Sequence, residues 1–160
     1  TDLIALDEAK KRGIVVANVP NVTSYVVAEH AIALMLGVAK ALAYQTAAIR
    51  AGHWNQVGNL LLRGKTLGII GTGGIGAEVA RLGNAFDMDV IAWTLHPSLE
   101  RAETLGVRYV ELDNLYQNSE VIIICIGLTS ETYHLIGRRE FGIVISGLIL
   151  VNVSRGQIVD

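Results

Sequence analysis

Six consecutive residues carry the strongest chemical signal in this chain: Gly71-Thr72-Gly73-Gly74-Ile75-Gly76. Their spacing is G-x-G-x-x-G, which is informative only in the right surroundings. Here the run follows an apolar stretch, Leu67-Gly68-Ile69-Ile70, and opens an amphipathic one, Ala77-Glu78-Val79-Ala80-Arg81-Leu82. In a strand–loop–helix of that kind Gly71 permits the tight turn. Gly73 lets a pyrophosphate approach the backbone, and Gly76 lets the helix lie close on the strand. The helix start offers unpaired N–H groups and a partial positive charge to phosphates. Dinucleotide binders usually add an acid about 20 residues on, at the end of the second strand, for the ribose hydroxyls. Counting reaches Asp89, but Asp89 precedes the apolar run Val90-Ile91-Ala92-Trp93 and so stands at the wrong end. The right end carries Thr94. Threonine hydrogen-bonds a ribose hydroxyl, and without a carboxylate nothing there repels a 2′-phosphate. His96 and Arg101 follow, either as partners of that phosphate or as ordinary surface residues. The expected cofactor is NAD or NADP, with the choice open.

The second chemical candidate is Arg155, just past an apolar strand. A guanidinium there presents planar, bidentate donors to the carboxylate of a 2-keto acid. The plain alternative is an arginine paired with Asp160 or with solvent. Reducing a ketone by hydride also needs a proton donor, usually histidine. The four histidines fit poorly: His30 falls on a helix, His53 in a loop, His96 at the adenosine end and His134 after the fourth strand. No metal-ligand cluster is expected. The single cysteine, Cys125, lies in an apolar run and has no intrachain disulfide partner, which fits a reducing, cytoplasmic setting.

These groups need a frame to hold them. From residue 64 onward strands and helices alternate. Strands are expected at 66–70, 90–93, 108–110, 121–126 and 148–153, with helices at 75–85, 99–105 and 112–117. That is a βαβ series, and right-handed crossovers make it an α/β, doubly wound parallel sheet of the Rossmann type. Before it come a short helix at 6–12 stopped by Gly13, a short strand at 14–16, and a long helix at 24–50. The stretch 31–39 is apolar almost all round, so this helix is either sandwiched within the domain or packed on a second subunit.

Composition bounds the rest. The 160 residues suffice for one domain with a sizeable core. Apolar residues reach 51% and mean hydropathy is +0.44, as buried parallel strands would require. No apolar run reaches the ~18 residues of a membrane span, and no signal peptide opens the chain. Thirteen basic and fifteen acidic residues give a net charge of −2 without a basic stripe, which argues against nucleic acid as a partner.

Several further segments converge on one family. Val27-Ala28-Glu29-His30, Gly52-His53-Trp54, Leu62-Arg63-Gly64-Lys65-Thr66-Leu67-Gly68-Ile69-Ile70-Gly71, Leu128-Thr129-Ser130-Glu131-Thr132 and Asn152-Val153-Ser154-Arg155-Gly156 stand in the family's order. The chain resembles the D-isomer-specific 2-hydroxyacid dehydrogenases, which include glycerate, lactate, phosphoglycerate and formate enzymes. The resemblance implies a cofactor domain at 21–160 and a remnant of the substrate domain at 1–20. It places Gly74 and Ile75 under the pyrophosphate and Thr94 at the adenosine ribose. Ile126 and Gly127 would flank the adenine side, although Gly127 stands where the family usually has proline. Thr132 would line the cofactor, and Val153 and Ser154 would lie beside the nicotinamide. Arg155 would be the catalytic arginine that holds the substrate carboxylate and polarises its carbonyl. The family's catalytic histidine and its glutamate come well after this arginine motif, beyond Asp160. The expectation is thus the cofactor domain of an oxidoreductase acting on D-2-hydroxy and 2-keto acids, incomplete as an enzyme, either a fragment or a truncated product. The alternatives are a stand-alone, non-catalytic dinucleotide-binding module or, more remotely, an alanine dehydrogenase-like protein. The family's habit of pairing cofactor domains implies a homodimer through the helix at 24–50.

Overall fold

Apolar runs make four of the five strands, the edge strand Arg108–Tyr109 being the exception, and their order places everything else. In the computed structural model, which describes residues 4–160, β1 (Thr66–Ile70), β2 (Asp89–Trp93), β3 (Arg108–Tyr109), β4 (Val121–Ile124) and β5 (Ile149–Asn152) form one sheet. Every neighbouring pair is parallel and the order is β3-β2-β1-β4-β5. The chain moves outward from β1 to β3, then crosses back to β4 and β5. The reversal falls between β1 and β4, where doubly wound sheets open a ligand crevice beyond the strands' carboxyl ends. β1 and β4 lie mid-sheet, and β4 is buried at all of Val121, Ile122, Ile123 and Ile124. Such strands read as unbroken apolar runs because both faces are covered.

Helices cover both faces. On one, α2 (Ser24–Ala39) and α4 (Gly74–Ala85) bury Ala28, Ala31, Met35, Val79 and Ala80 against Ile69, Ile123 and Val151. On the other, α6 (Leu112–Asn118) sets Leu115 and Tyr116 against Ile70, Ile91, Ile122 and Ile124. Between them α5 (Leu99–Leu105) starts at Ser98, whose hydroxyl accepts the Arg101 N–H, and stops at the left-handed Gly106. A short α7 (Arg138–Phe141) and a 3-10 turn at Gly156–Ile158 escaped the sequence reading, since four and three residues are too few to show a period.

Two expected elements differ. The helix at 24–50 is two helices, α2 and α3 (Leu42–Arg50), bent by 62°. The residues at the break are good helix formers, so propensity gives no warning. The returning chain ends α2 instead: Leu60 N–H donates to the Ala39 carbonyl at 2.9 Å, and Lys40 Nζ donates to the Leu60 carbonyl at 2.8 Å. Ala41 then turns through a left-handed conformation with φ 49°. The strand at 14–16 does not form; Val15 is 91% exposed and no sheet edge meets it. α1 (Leu6–Lys11) forms but buries nothing. Of the substrate-domain remnant expected at 1–20, Thr1, Asp2 and Leu3 lie outside the described residues, and the remainder is almost wholly exposed. Among the described residues no single helix is long and apolar enough to cross a membrane, and only the bent pair α2–α3 passes by length and composition.

Candidate functional site

The phosphate loop is built as its glycines require. Gly71 takes φ +95°, and a Cβ there would lie 2.8 Å from the Ile126 Cα. A Cβ on Gly76 would overlap the Gly71 carbonyl oxygen. Both glycines are therefore demanded by backbone packing. Gly73 differs: a Cβ there would meet nothing within 4 Å. It is the N-cap of α4 and no side chain caps that helix, which leaves its first-turn N–H groups without a side-chain acceptor at the cap. α4 begins at Gly74, one residue earlier than expected. A Cβ on Gly74 would come within 2.6 Å of Asn21 Oδ1 and Ser24 Oγ, so Gly74 admits the start of α2 beside the loop.

One cavity of about 270 Å³ opens beyond β1, β4 and β5, lined by Ile75, residues 125–128 and residues 153–155. Six expected site residues meet there: Ile75, Ile126, Gly127, Val153, Ser154 and Arg155. Polar bonds brace its walls. Ser154 Oγ donates to the Ile126 carbonyl, tying the β5 loop to the β4 loop. Asn152 Oδ1 accepts the Ser154 N–H at 2.9 Å, and its amide donates to the Arg155 carbonyl at 2.8 Å. That staple fixes the turn that carries Arg155. Arg155 itself is exposed, and its Nη1 donates to the Ser154 carbonyl at 3.1 Å. Asp160 lies by His134, with 3.5 Å between Nδ1 and Oδ1.

Thr132 is fully buried. Its hydroxyl donates to the Gly127 carbonyl at 2.7 Å and accepts the Thr129 N–H at 2.8 Å. It braces the loop after β4 and does not line the cavity wall. Thr94 lies apart from the cavity. It stands at the carboxyl end of β2 in a second hollow of about 310 Å³, with Trp93, Pro97, Tyr109, Val110 and Glu111. Asp89 opens β2 at the opposite end, where it pairs with Arg108 at 3.0 Å. Arg101 is bound to the phosphate loop: its Nε donates to the Thr72 carbonyl at 3.0 Å, and Nη2 donates to the same oxygen. None of the four histidines lines either hollow. Among the described residues no cluster of metal ligands occurs.

The open seat above Gly73, the uncapped helix and the crevice at the strand reversal together fit a dinucleotide. The family model described as D-isomer specific 2-hydroxyacid dehydrogenase, NAD binding domain, matches residues 32–160. The chain belongs to this family. It carries the family's NAD-binding domain. A D-3-phosphoglycerate dehydrogenase of Archaeoglobus fulgidus is 42% identical over 99% of this chain and 31% of the relative. A glyoxylate reductase of Thermococcus litoralis is 39% identical over 99% of this chain and 51% of the relative. The apo D-lactate dehydrogenase of Escherichia coli superposes with a TM-score of 0.91 at 35% identity, covering all of this chain and 51% of that one. The D-lactate dehydrogenase of Aquifex aeolicus, a complex with NAD and lactic acid, gives 0.88 at 35% identity, again over all of this chain and 49% of that one. The chain thus spans a third to a half of the length of these relatives.

Two features of the family site were not singled out in the sequence. Asn152 emerges as a staple, and its signal was present: an Asn at a strand end followed two residues later by Ser is the pattern of an Asx turn. Cys125 reads in the sequence only as a lone thiol in an apolar run, yet it lines the cavity. Burial pushes its thiol up to about 12.

Proposed function

We propose that this chain is the cofactor-binding part of a nicotinamide-dependent dehydrogenase that interconverts D-2-hydroxy acids and 2-keto acids. The observation that carries this reading is the meeting of Ile75, Ile126, Gly127, Val153, Ser154 and Arg155 around one cavity at the strand reversal. In this reading the α4 N-terminus and the open face of Gly73 hold the pyrophosphate. Thr94 meets the adenosine ribose. Val153 and the stapled turn at Ser154 flank the nicotinamide. Thr132 acts through Gly127, holding the loop that closes the cavity. When bound, the nicotinamide supplies or accepts the hydride. Arg155 holds the substrate carboxylate and polarises the keto oxygen, stabilising charge that grows there during reduction. A proton donor must reach that oxygen, and no histidine among the described residues is placed to do so.

A direct titration tests the reading. The chain should bind NADH or NADPH saturably below millimolar concentration, and the purified 160-residue chain should not turn over glyoxylate, pyruvate or hydroxypyruvate. Lack of any binding refutes the cofactor seat. Robust turnover would mean that a proton donor exists among these residues, with His134 the first to examine.

The assembly we propose is a homodimer through α2 and α3. Their outer faces expose Tyr25, Val26, Leu34 and Val38 on α2 and Leu42, Tyr44 and Ile49 on α3. Contiguous apolar surface of this kind usually marks an interface. Sedimentation should show a dimer at micromolar concentration, and Leu34→Glu or Val38→Glu should dissociate it. A clean monomer of 17.2 kDa defeats the proposal.

A further inference from the structure

We propose that Asn21 and Ser24, at the start of α2, are cofactor-binding residues whose side chains donate to the pyrophosphate of the bound dinucleotide. The inference rests on the cofactor seat proposed above and adds to it a segment of chain outside the glycine loop. Its basis is a meeting of two helix starts. α2 and α4 pack side by side, with Ala28 and Ala31 of one in the same buried cluster as Val79 and Ala80 of the other. Their first residues come together: a Cβ on Gly74 would fall 2.6 Å from both Asn21 Oδ1 and Ser24 Oγ. Neither helix has a side-chain cap bond or an acid in its first turn. Two partly positive helix ends therefore meet with no carboxylate in either first turn to balance them.

Helix starts alone do not make a site. Ser24 is what points to a ligand. It is 7% exposed, and among the described residues its hydroxyl makes no hydrogen bond. A hydroxyl so deeply placed usually has a partner. This one stands against Gly74, the first residue of α4, and an anion held at that helix start supplies the missing acceptor. Asn21 is exposed and left-handed, with φ 64°. Asparagine is among the few residues besides glycine that take this conformation readily. The turn is closed by the Ser24 N–H, which donates to the Asn21 carbonyl at 3.2 Å. The Asn21 amide presents oxygen on one side and NH₂ on the other. The oxygen suits a bare helix start, and the NH₂, once the amide turns over, suits a phosphate. The neighbouring glycines divide the space accordingly. A Cβ on Gly73 would meet nothing within 4 Å, whereas a Cβ on Gly74 would meet both polar side chains. The seat is open over Gly73 and walled by two potential donors at Gly74.

The test is a fluorescence titration of the chain with NADH and a competition titration with ADP-ribose, which shares the pyrophosphate and lacks the nicotinamide. Ser24→Ala removes a hydroxyl that is unbonded in the fold, so its melting temperature should stay within a few degrees of wild type. Both ligands should nevertheless weaken by about tenfold or more, the size of one hydrogen bond to a charged group. Asn21→Gly keeps the left-handed turn and should weaken both ligands by a similar factor. Asn21→Asp keeps the shape but sets a carboxylate against the pyrophosphate. It should weaken both ligands further, and raised salt should recover part of that loss. Wild-type affinity in both Ser24→Ala and Asn21→Gly overturns the proposal and leaves the cofactor seat standing. Weaker NADH with unchanged ADP-ribose overturns it too, because the contact would then lie at the nicotinamide. Should Ser24→Ala fold poorly, the other pair decides: equal affinities in Asn21→Gly and Asn21→Asp overturn the proposal. If wild type binds neither ligand, the cofactor seat itself falls and this inference with it.

Discussion

Where β4 and β5 end, side chains are committed to one another: Ser154 to the Ile126 carbonyl, Asn152 to the backbone of Ser154 and Arg155, Thr132 to Gly127 and Thr129. Where β2 and β3 end, Leu95, His96, Pro97 and Ser98 are exposed, and one long arginine reaches back to the loop. The first region is preorganised, its geometry set before any ligand arrives. The second holds its charge on a flexible stem that a ligand can redirect. The contrast suits two tasks. In the proposed reading the first region is the nicotinamide end, and hydride transfer, which needs reacting atoms placed closely, gains from rigid walls. Choosing between dinucleotides needs only a charge within reach.

The phosphate loop joins the two regions, and its glycines offer the largest effects. Gly76→Ala drives a methyl into the Gly71 carbonyl, backbone against backbone, with no flexible group to yield. The expected loss is about 3 kcal/mol or more, which is roughly 10 °C in melting temperature for a domain of this size. Gly73→Val places its side chain where a Cβ meets nothing within 4 Å. Its melting temperature should stay within a few degrees of wild type while dinucleotide binding disappears. Should Gly73→Val bind as wild type does, the space above Gly73 is not the pyrophosphate seat.

The preorganised region is tested next, at its staple. Asn152→Ala removes two hydrogen bonds, worth about 1–2 kcal/mol together. It should loosen the turn bearing Ser154 and Arg155, weakening dinucleotide binding about tenfold while leaving any NADH-to-NADPH ratio unchanged. Asn152→Asp keeps the acceptor for the Ser154 N–H and should recover part of the loss. A changed ratio would mean that the two regions are not independent.

The same division explains what the residues revealed beforehand. Backbone demands were legible: the strand–glycine–helix pattern at 66–82 and the apolar runs of β1 and β4 come from local rules, and they held. Arg155 and its neighbours were legible because the motif sits at a strand end. Effects decided by distant partners were not. The break at Lys40 comes from Leu60, twenty residues away, and no local propensity encodes it. Thr132 was expected at the cofactor, but sequence does not show that its hydroxyl is already bonded to Gly127 and Thr129. The tie between Arg101 and Thr72 spans 29 positions, so no local pattern shows that this guanidinium is bonded to the phosphate loop.

Cys125 gives a chemical measure of how closed the cavity is. Burial raises its pKa from 9.0 to about 12, so the thiol stays protonated through pH 9. The half-buried thiol should alkylate slowly with iodoacetamide at pH 8, because the thiolate is the reactive form. The unfolded chain ionises this thiol from about pH 9 while the folded chain does not. The stability linked to Cys125 is therefore complete below pH 9 and is lost as pH rises toward 12, a loss that Cys125→Ala should remove. Fast alkylation of the folded chain would show that the thiol ionises well below 12 and that its surroundings are wetter than the packing implies.

The smallest effect expected is a gain, at Gly127. The family resemblance predicts proline here, and the chain has the most flexible residue in an otherwise braced wall. A Cβ on Gly127 meets nothing within 4 Å, and its φ lies outside the left-handed region. Gly127→Ala should therefore stabilise the fold by about 0.4–1 kcal/mol, through the lower entropy of the unfolded chain. The Thr132 hydroxyl bonds the Gly127 carbonyl, which alanine retains, so the brace survives. The open space beside Gly127 is also the mouth of the cavity, and that gives the variant a second readout. A rise in melting temperature of about 1–4 °C with dinucleotide affinity within threefold means that the methyl points past the ligand. The same rise with a tenfold loss of affinity means that the ligand lies directly over Gly127. No rise at all would mean that the loop is already confined in the unfolded chain, and the contrast between a rigid and a pliant end would rest on hydrogen bonds alone.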